Sequence, residues 1–109
     1  MVQFRDAQHD LIFAALGNGV RRRMTESLLR SGPQAMSELA RPFGISLPGA
    51  KKHIAVLEAA GLVSCAKKGR ENICSVNPAA LQSAAEWFAF QSKFWNASFD
   101  RLEKLLQRR

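Results

Sequence analysis

Between Met36 and Arg70 the chain reads MSELARPFGISLPGAKKHIAVLEAAGLVSCAKKGR, and its punctuation leaves few folds open. Gly44-Ile45 and Gly61 cut the segment into a short helix, a longer helix and a β-hairpin. Ser37 is placed to cap the short helix, which runs through Phe43 and turns Met36, Leu39, Ala40 and Phe43 inward. Gly44 suits a left-handed position at its end. Ser46 then caps the longer helix, expected over about 46–60, with Pro48 tolerated in its first turn. Leu47, Ala50, Ile54 and Leu57 recur there at helical spacing and predict its core face. Two strands follow, Leu62–Lys67 and Asn72–Val76, joined through Lys68-Gly69-Arg70-Glu71 within a hairpin of about 62–77.

Charge is concentrated in the same place. The chain of 109 residues nets +7; Arg41 to Arg70 holds six basic residues against Glu58 alone, and the remaining 79 residues account for only +2. A surplus confined to one segment is the footprint of a nucleic-acid surface. The order of elements agrees, because it offers one helix to a major groove and one loop to a neighbouring phosphate backbone.

The flanks complete an all-helical frame. A first helix is expected from about Asp6 to Leu16, with Ile12, Phe13 and Leu16 on one stripe and Gly17-Asn18-Gly19 at its end. A second runs from about Val20 to Ser31, with Val20, Met24, Leu28 and Leu29 inward, and Gly32-Pro33 breaks it. Arg21, Arg22 and Arg23 open this second helix at the end the macrodipole disfavours. Partners outside the helix are therefore expected for them, either acidic side chains or phosphate.

Asn77 and Pro78 start a last helix of about 78–107. Phe88, Trp95, Phe99, Leu102 and Leu106 make one stripe, and Trp87, Phe90, Phe94 and Leu105 lie well round the cylinder from it. A chain of this length builds one domain, residues 1–109, with one modest core. Such a monomer covers one stripe and not both, so a self-complementary homodimer is expected.

The residues SLPGAKKHIAVLEAAGLV followed by KKGRENICSVNP resemble the ArsR family of bacterial transcriptional regulators. The family pattern is approximately S-x-P-x-x-S-K-H-L-x-x-L-x-x-A-G-L-V, then a basic wing and an N-P exit. Ser46, Pro48, Lys52, His53, Leu57, Ala60, Gly61, Leu62, Val63, Asn77 and Pro78 match it, and AALGNGVRRRMTESLL is similar to the family's opening. Lys51 stands where the family usually has serine. The resemblance implies a mostly α winged helix-turn-helix of five helices with a small β-hairpin wing. It also implies a homodimer pairing through its first and last helices, and a double-stranded DNA operator of pseudo-palindromic sequence.

On that footing the DNA-binding set is Ser46, Pro48, Gly49, Lys51, Lys52, His53, Lys67, Lys68 and Arg70. Lys51, Lys52 and Ser46 can reach base edges or phosphates, whereas Lys67, Lys68 and Arg70 serve phosphates and set affinity more than sequence. His53 is either structural, a phosphate contact or a base reader. Gly49 reads as close approach to DNA or as drift. The dimer set is Ile12, Phe13, Leu16, Phe88, Phe94, Trp95, Phe99, Leu102 and Leu106.

Metal sensing does not carry over residue by residue. The third-helix segment Ser37-Glu38-Leu39-Ala40-Arg41 has no thiol, and Glu86, Asp100 and Glu103 in the last helix have no histidine beside them. No metal, cofactor or catalytic residue is expected, and no effector is named. Cys65 and Cys74 fall opposite each other in the hairpin, either filling its inner side or forming a redox pair. No apolar run approaches the roughly 20 residues of a membrane span. Asp6, His9 and Asp10 do not suit a signal peptide, so the expectation is a cytoplasmic repressor with reduced thiols. The competing reading, a protein-interaction module reusing the winged fold, predicts a neutral helix and wing.

Overall fold

The structure, a computed structural model, describes residues 2–107. Nine elements follow in order: α1 (Val2–Leu16), α2 (Gly19–Ser31), β1 (Gln34–Ala35), α3 (Met36–Ala40), a 3-10 turn (Arg41–Phe43), α4 (Leu47–Ala59), β2 (Val63–Lys68), β3 (Glu71–Val76) and α5 (Pro78–Gln107). The five helices and the hairpin are those expected from the sequence. α1 begins at Val2 and not near Asp6, since no glycine or proline interrupts the residues before Asp6.

Local chemistry accounts for most boundaries. Asn18 caps α2, its Oδ1 accepting from the backbone N–H groups of Val20 at 2.9 Å and Arg21 at 3.2 Å. Asn77 opens α5, accepting from Ala79 N–H at 3.2 Å while its Nδ2 donates to the Gly61 carbonyl at 3.1 Å. One side chain thus joins the end of α4 to the start of α5.

β1 was not legible in the sequence. Its two residues pair antiparallel with β3, Gln34 opposite Cys74 and Ala35 opposite Ile73, giving a sheet of order β1-β3-β2. This corrects the cap expected at Ser37. Ala35 is held extended by its pairing and itself precedes the first turn of α3, which carries no side-chain cap.

One core binds the elements together. Ile12, Met24, Leu28, Leu39, Ile54, Leu57, Leu62 and Cys74 are its largest fully buried side chains, drawn from α1 through β3. Ile12 is 0% exposed, which removes it from the expected dimer set because this protomer already covers it. Leu29 and Leu47 are further corrections: both expected inward, they are 54% and 46% exposed, while Phe43 and Ile45 just before α4 pack against the core cluster.

α5 touches that core only near its start, where Ala80 and Ala84 are buried and Phe13 of α1 meets Trp87 and Phe88 at ring-centroid distances of 5.2 Å. Beyond this the helix projects, and the molecule measures 65 × 35 × 21 Å. Its radius of gyration is 17.9 Å, against about 13 Å for a compact chain of this length. No described helix is long and apolar enough to cross a membrane.

Candidate nucleic-acid interface

The candidate surface begins at Gly44, whose positive φ of 62° ends the 3-10 turn and redirects the chain into α4. Ser46 sits just outside the helix in extended conformation, and its Oγ accepts from Gly49 N–H at 3.2 Å. This is the expected cap. It also gives Gly49 a reason within the fold, because a Cβ there would stand 3.3 Å from Ser46 Oγ and crowd that hydrogen bond. Ser46, Pro48, Lys51 and Lys52 are all exposed on the first turns of α4.

His53 differs from its neighbours. It is half-buried, and its Nδ1 lies 3.3 Å from Arg21 Nη1. Arginine only donates, so Nδ1 accepts and the ring proton sits on Nε2. Arg21 in turn donates through Nε to the Ala15 carbonyl at 2.7 Å and through Nη2 to that of Ala14 at 3.4 Å. Arg22 donates to the Leu16 carbonyl at 2.6 Å. Neither acidic side chains nor phosphate explain these two arginines. They close the C-terminal end of α1, where carbonyls lack helical partners and positive charge is favoured. His53 therefore has an architectural task, bracing α4 against that cap.

The hairpin supplies the second wall. Gly69 has φ 66° and Arg70 a negative φ, the signature of a two-residue type II′ turn. The turn is tighter than the four-residue connection expected, and the ladder gains the pair Lys68–Glu71 without changing register. Side chains alternate across the strands. Lys67 and Asn72 therefore share the inner face with Cys65 and Cys74, whereas Lys68 lies on the alternate face of its strand.

Between α4 and the hairpin lies a cleft of about 300 Å³. Ala35, Met36 and Leu47 contribute its apolar lining, and Ser37, Lys51, Lys67, Arg70 and Asn72 add hydroxyl, amide and cationic groups, with Glu71 the one carboxylate. Three cations from two separate elements thus converge on one slot. Leu47 owes its exposure to this cleft. Ser37 and Asn72 join the site unannounced; for Asn72 the signal was its position opposite Lys67, while Ser37 required the placement of α3.

Within the hairpin Cys65 is half-buried and Cys74 buried, their sulfurs hydrogen-bonded at 2.8 Å. Burial pushes both thiols up, Cys74 to about 12. The hydrogen bond between them favours ionised Cys65 and neutral Cys74, and nearby Glu58 raises both. Among the described residues, no group of three or more His, Cys, Asp or Glu side chains is placed to hold a metal ion.

Along α5, Phe88, Phe94, Trp95, Phe99, Leu102 and Leu106 are exposed, Phe99 at 65%. Phe13 and Leu16 are half-buried beside them at the α1 end.

Residues 16–66 match a family described as a helix-turn-helix domain. The chain is 30% identical over 76 residues to the transcriptional repressor SdpR of Bacillus subtilis, covering 70% of this chain and 83% of that protein. It is 36% identical over 72 residues to the HTH-type transcriptional regulator Rv2034 of Mycobacterium tuberculosis, 66% of either chain. The crystal structure of an ArsR family transcriptional regulator matches with a TM-score of 0.75 and 36% identity, covering 84% of this chain and 93% of the other.

Proposed function

This chain belongs to the ArsR family of winged helix-turn-helix transcriptional regulators, and we propose that it is a cytoplasmic repressor that grips a pseudo-palindromic operator as a homodimer. DNA binding follows from the family; the assignment of individual residues rests on geometry. α4 is the recognition helix, presenting Ser46, Pro48, Lys51 and Lys52 to the major groove. Lys67 and Arg70 act with Lys51 at the cleft to hold backbone phosphate, and Lys68 flanks them. The observation that carries this reading is the convergence of those three cations beside an exposed, capped helix start. His53 contributes through its hold on Arg21.

Surface area supports the homodimer. The chain exposes 8005 Å², against about 6000 Å² for a compact monomer of its size. The excess is roughly 2000 Å², and the projecting α5 exposes Phe88, Phe94, Trp95, Phe99, Leu102 and Leu106 as a face for a partner copy. Pairing through α5 with Phe13 and Leu16 of α1 sets two recognition helices about a two-fold axis. Two symmetric helices read half-sites about one DNA turn, or a multiple of it, apart.

Selection of duplexes from a random-sequence pool tests this. An enriched motif with two-fold symmetry, bound about 10³-fold or more above unrelated DNA, is expected. Enrichment of asymmetric sites would overturn the dimeric operator, and absence of any enrichment would favour a protein-interaction role.

A further inference from the structure

The wing contains a cysteine pair in a register suited to a covalent link. With Lys68 and Glu71 closing a two-residue turn, they form a hydrogen-bonded pair, and the two pair types alternate down the ladder. Cys65 and Cys74 therefore form a non-hydrogen-bonded pair, whose Cα atoms stand about 4.5 Å apart in a regular ladder. A disulfide accommodates Cα separations of about 4.4–6.8 Å. The two Sγ atoms already face each other at 2.8 Å. A bond requires the sulfurs to close from 2.8 Å to about 2.05 Å.

We infer that Cys65 and Cys74 are a reversible thiol-oxidation site, which small disulfides of the glutathione type convert into a cross-strand disulfide that locks the wing in its present pose. The half-buried Cys65 is the entry point, and Cys74, wholly inside the fold, is the resolving thiol. Cys65 loses its thiol proton and the thiolate attacks one sulfur of the small disulfide; its S–S bond breaks, and the small thiolate departs and takes up a proton. Cys74 then gives up its proton and attacks the Cys65 sulfur of the mixed disulfide. The second small thiol leaves with that proton. Two protein thiols are oxidised by two electrons, and one small disulfide is reduced to two thiols.

Burial raises the Cys65 thiol, and its hydrogen-bonded contact with Cys74 acts the other way, in the sense this order needs. The next inner-face pair toward the tip is Lys67–Asn72, which lines the basic cleft. Because the link fits the existing register, it leaves that pair in position. The pair thus acts as a lock and not as an off-switch. The chemistry stands apart from the operator reading; only the binding readout below rests on it.

The test treats the full chain with oxidised glutathione. Both thiols should disappear with a mass loss of about 2 Da per chain, reversed by dithiothreitol. The melting temperature should rise by roughly 5 °C or more. Cys74→Ala should retain one glutathione on Cys65, and Cys65→Ser should leave Cys74 unmodified while folded. Operator affinity of the oxidised chain should remain within about twofold of the reduced chain.

A persistent adduct on wild-type Cys65, or disulfides between chains, would overturn the site. So would intact thiols under conditions that oxidise the urea-unfolded chain. A larger fall in affinity with the disulfide formed would overturn the lock. Loss of operator binding in both redox states, with the disulfide still forming, would instead count against the proposed function alone.

Discussion

Removing Lys67 and Arg70 together by substitution with alanine should halve the salt dependence of operator binding. The cleft and the exposed face of α4 offer four cations per protomer, Lys51, Lys52, Lys67 and Arg70, while Lys68 lies outside the cleft lining. A dimer then engages about 8 phosphates, and log K falls with log salt at a slope of about −7. Between 50 and 200 mM salt that is about four decades of affinity. The double variant keeps about 4 contacts per dimer, so its slope should be near −3.6 and the same salt interval should cover about two decades. Phosphate contacts carry no base information, so the ratio between operator and scrambled duplex should stay nearly constant. Fluorescence anisotropy on a labelled duplex at five salt concentrations measures both quantities. Lys68→Ala, measured alongside, should shift the slope less than either Lys67→Ala or Arg70→Ala. A double variant whose slope stays within one unit of wild type would remove the cleft from the interface.

Phe99→Asp should yield a monomer by sedimentation with the core's thermal transition retained, since this side chain is exposed in the protomer; a persisting dimer would refute the assignment of α5. Arg21→Ala should destabilise the chain by about 1–2 kcal/mol, through loss of its hold on the α1 terminus. Arg23→Ala on the exposed face should melt like wild type, and equal melting of all three would show that the cap contributes nothing. The thiol of Cys74 is raised from 9.0 to about 12 in the folded chain. Its contribution to stability is therefore complete below pH 9 and lost as pH rises through about 12. Urea denaturation from pH 8 upward should show wild type losing more stability than Cys74→Ala, and parallel profiles would contradict the shift.

Much of this protein was legible from residue order alone. Ser46, Asn77, Gly44 and Gly61 act through backbone geometry within a few residues of themselves, and each ended or started an element as its chemistry dictates. The pairing of Cys65 with Cys74 was equally local, because a hairpin's register follows from its turn. The site was partly legible for the same reason: Lys51, Lys67 and Arg70 belong to adjacent elements, and their shared sign announced a shared surface.

What escaped depends on distant contacts. β1 exists because β3, some forty residues later, offers Gln34 and Ala35 a ladder; alone, two residues carry no strand signal. That pairing also displaced the cap expected at Ser37. Arg21 and Arg22 looked like charges awaiting ligands until α1 brought its terminal carbonyls to them, and the structural reading of His53, one of three left open, depends on Arg21 standing beside it. Periodicity assigned Ile12 to an apolar stripe, but only packing decided that its own core covers it while Phe99 is left exposed on the protomer. Sequence by itself determined the order of elements, their caps and the placement of charge, since these follow from neighbours along the chain. Tertiary structure decided which apolar faces find cover and which cations meet, because burial and convergence are properties of surfaces assembled from remote segments.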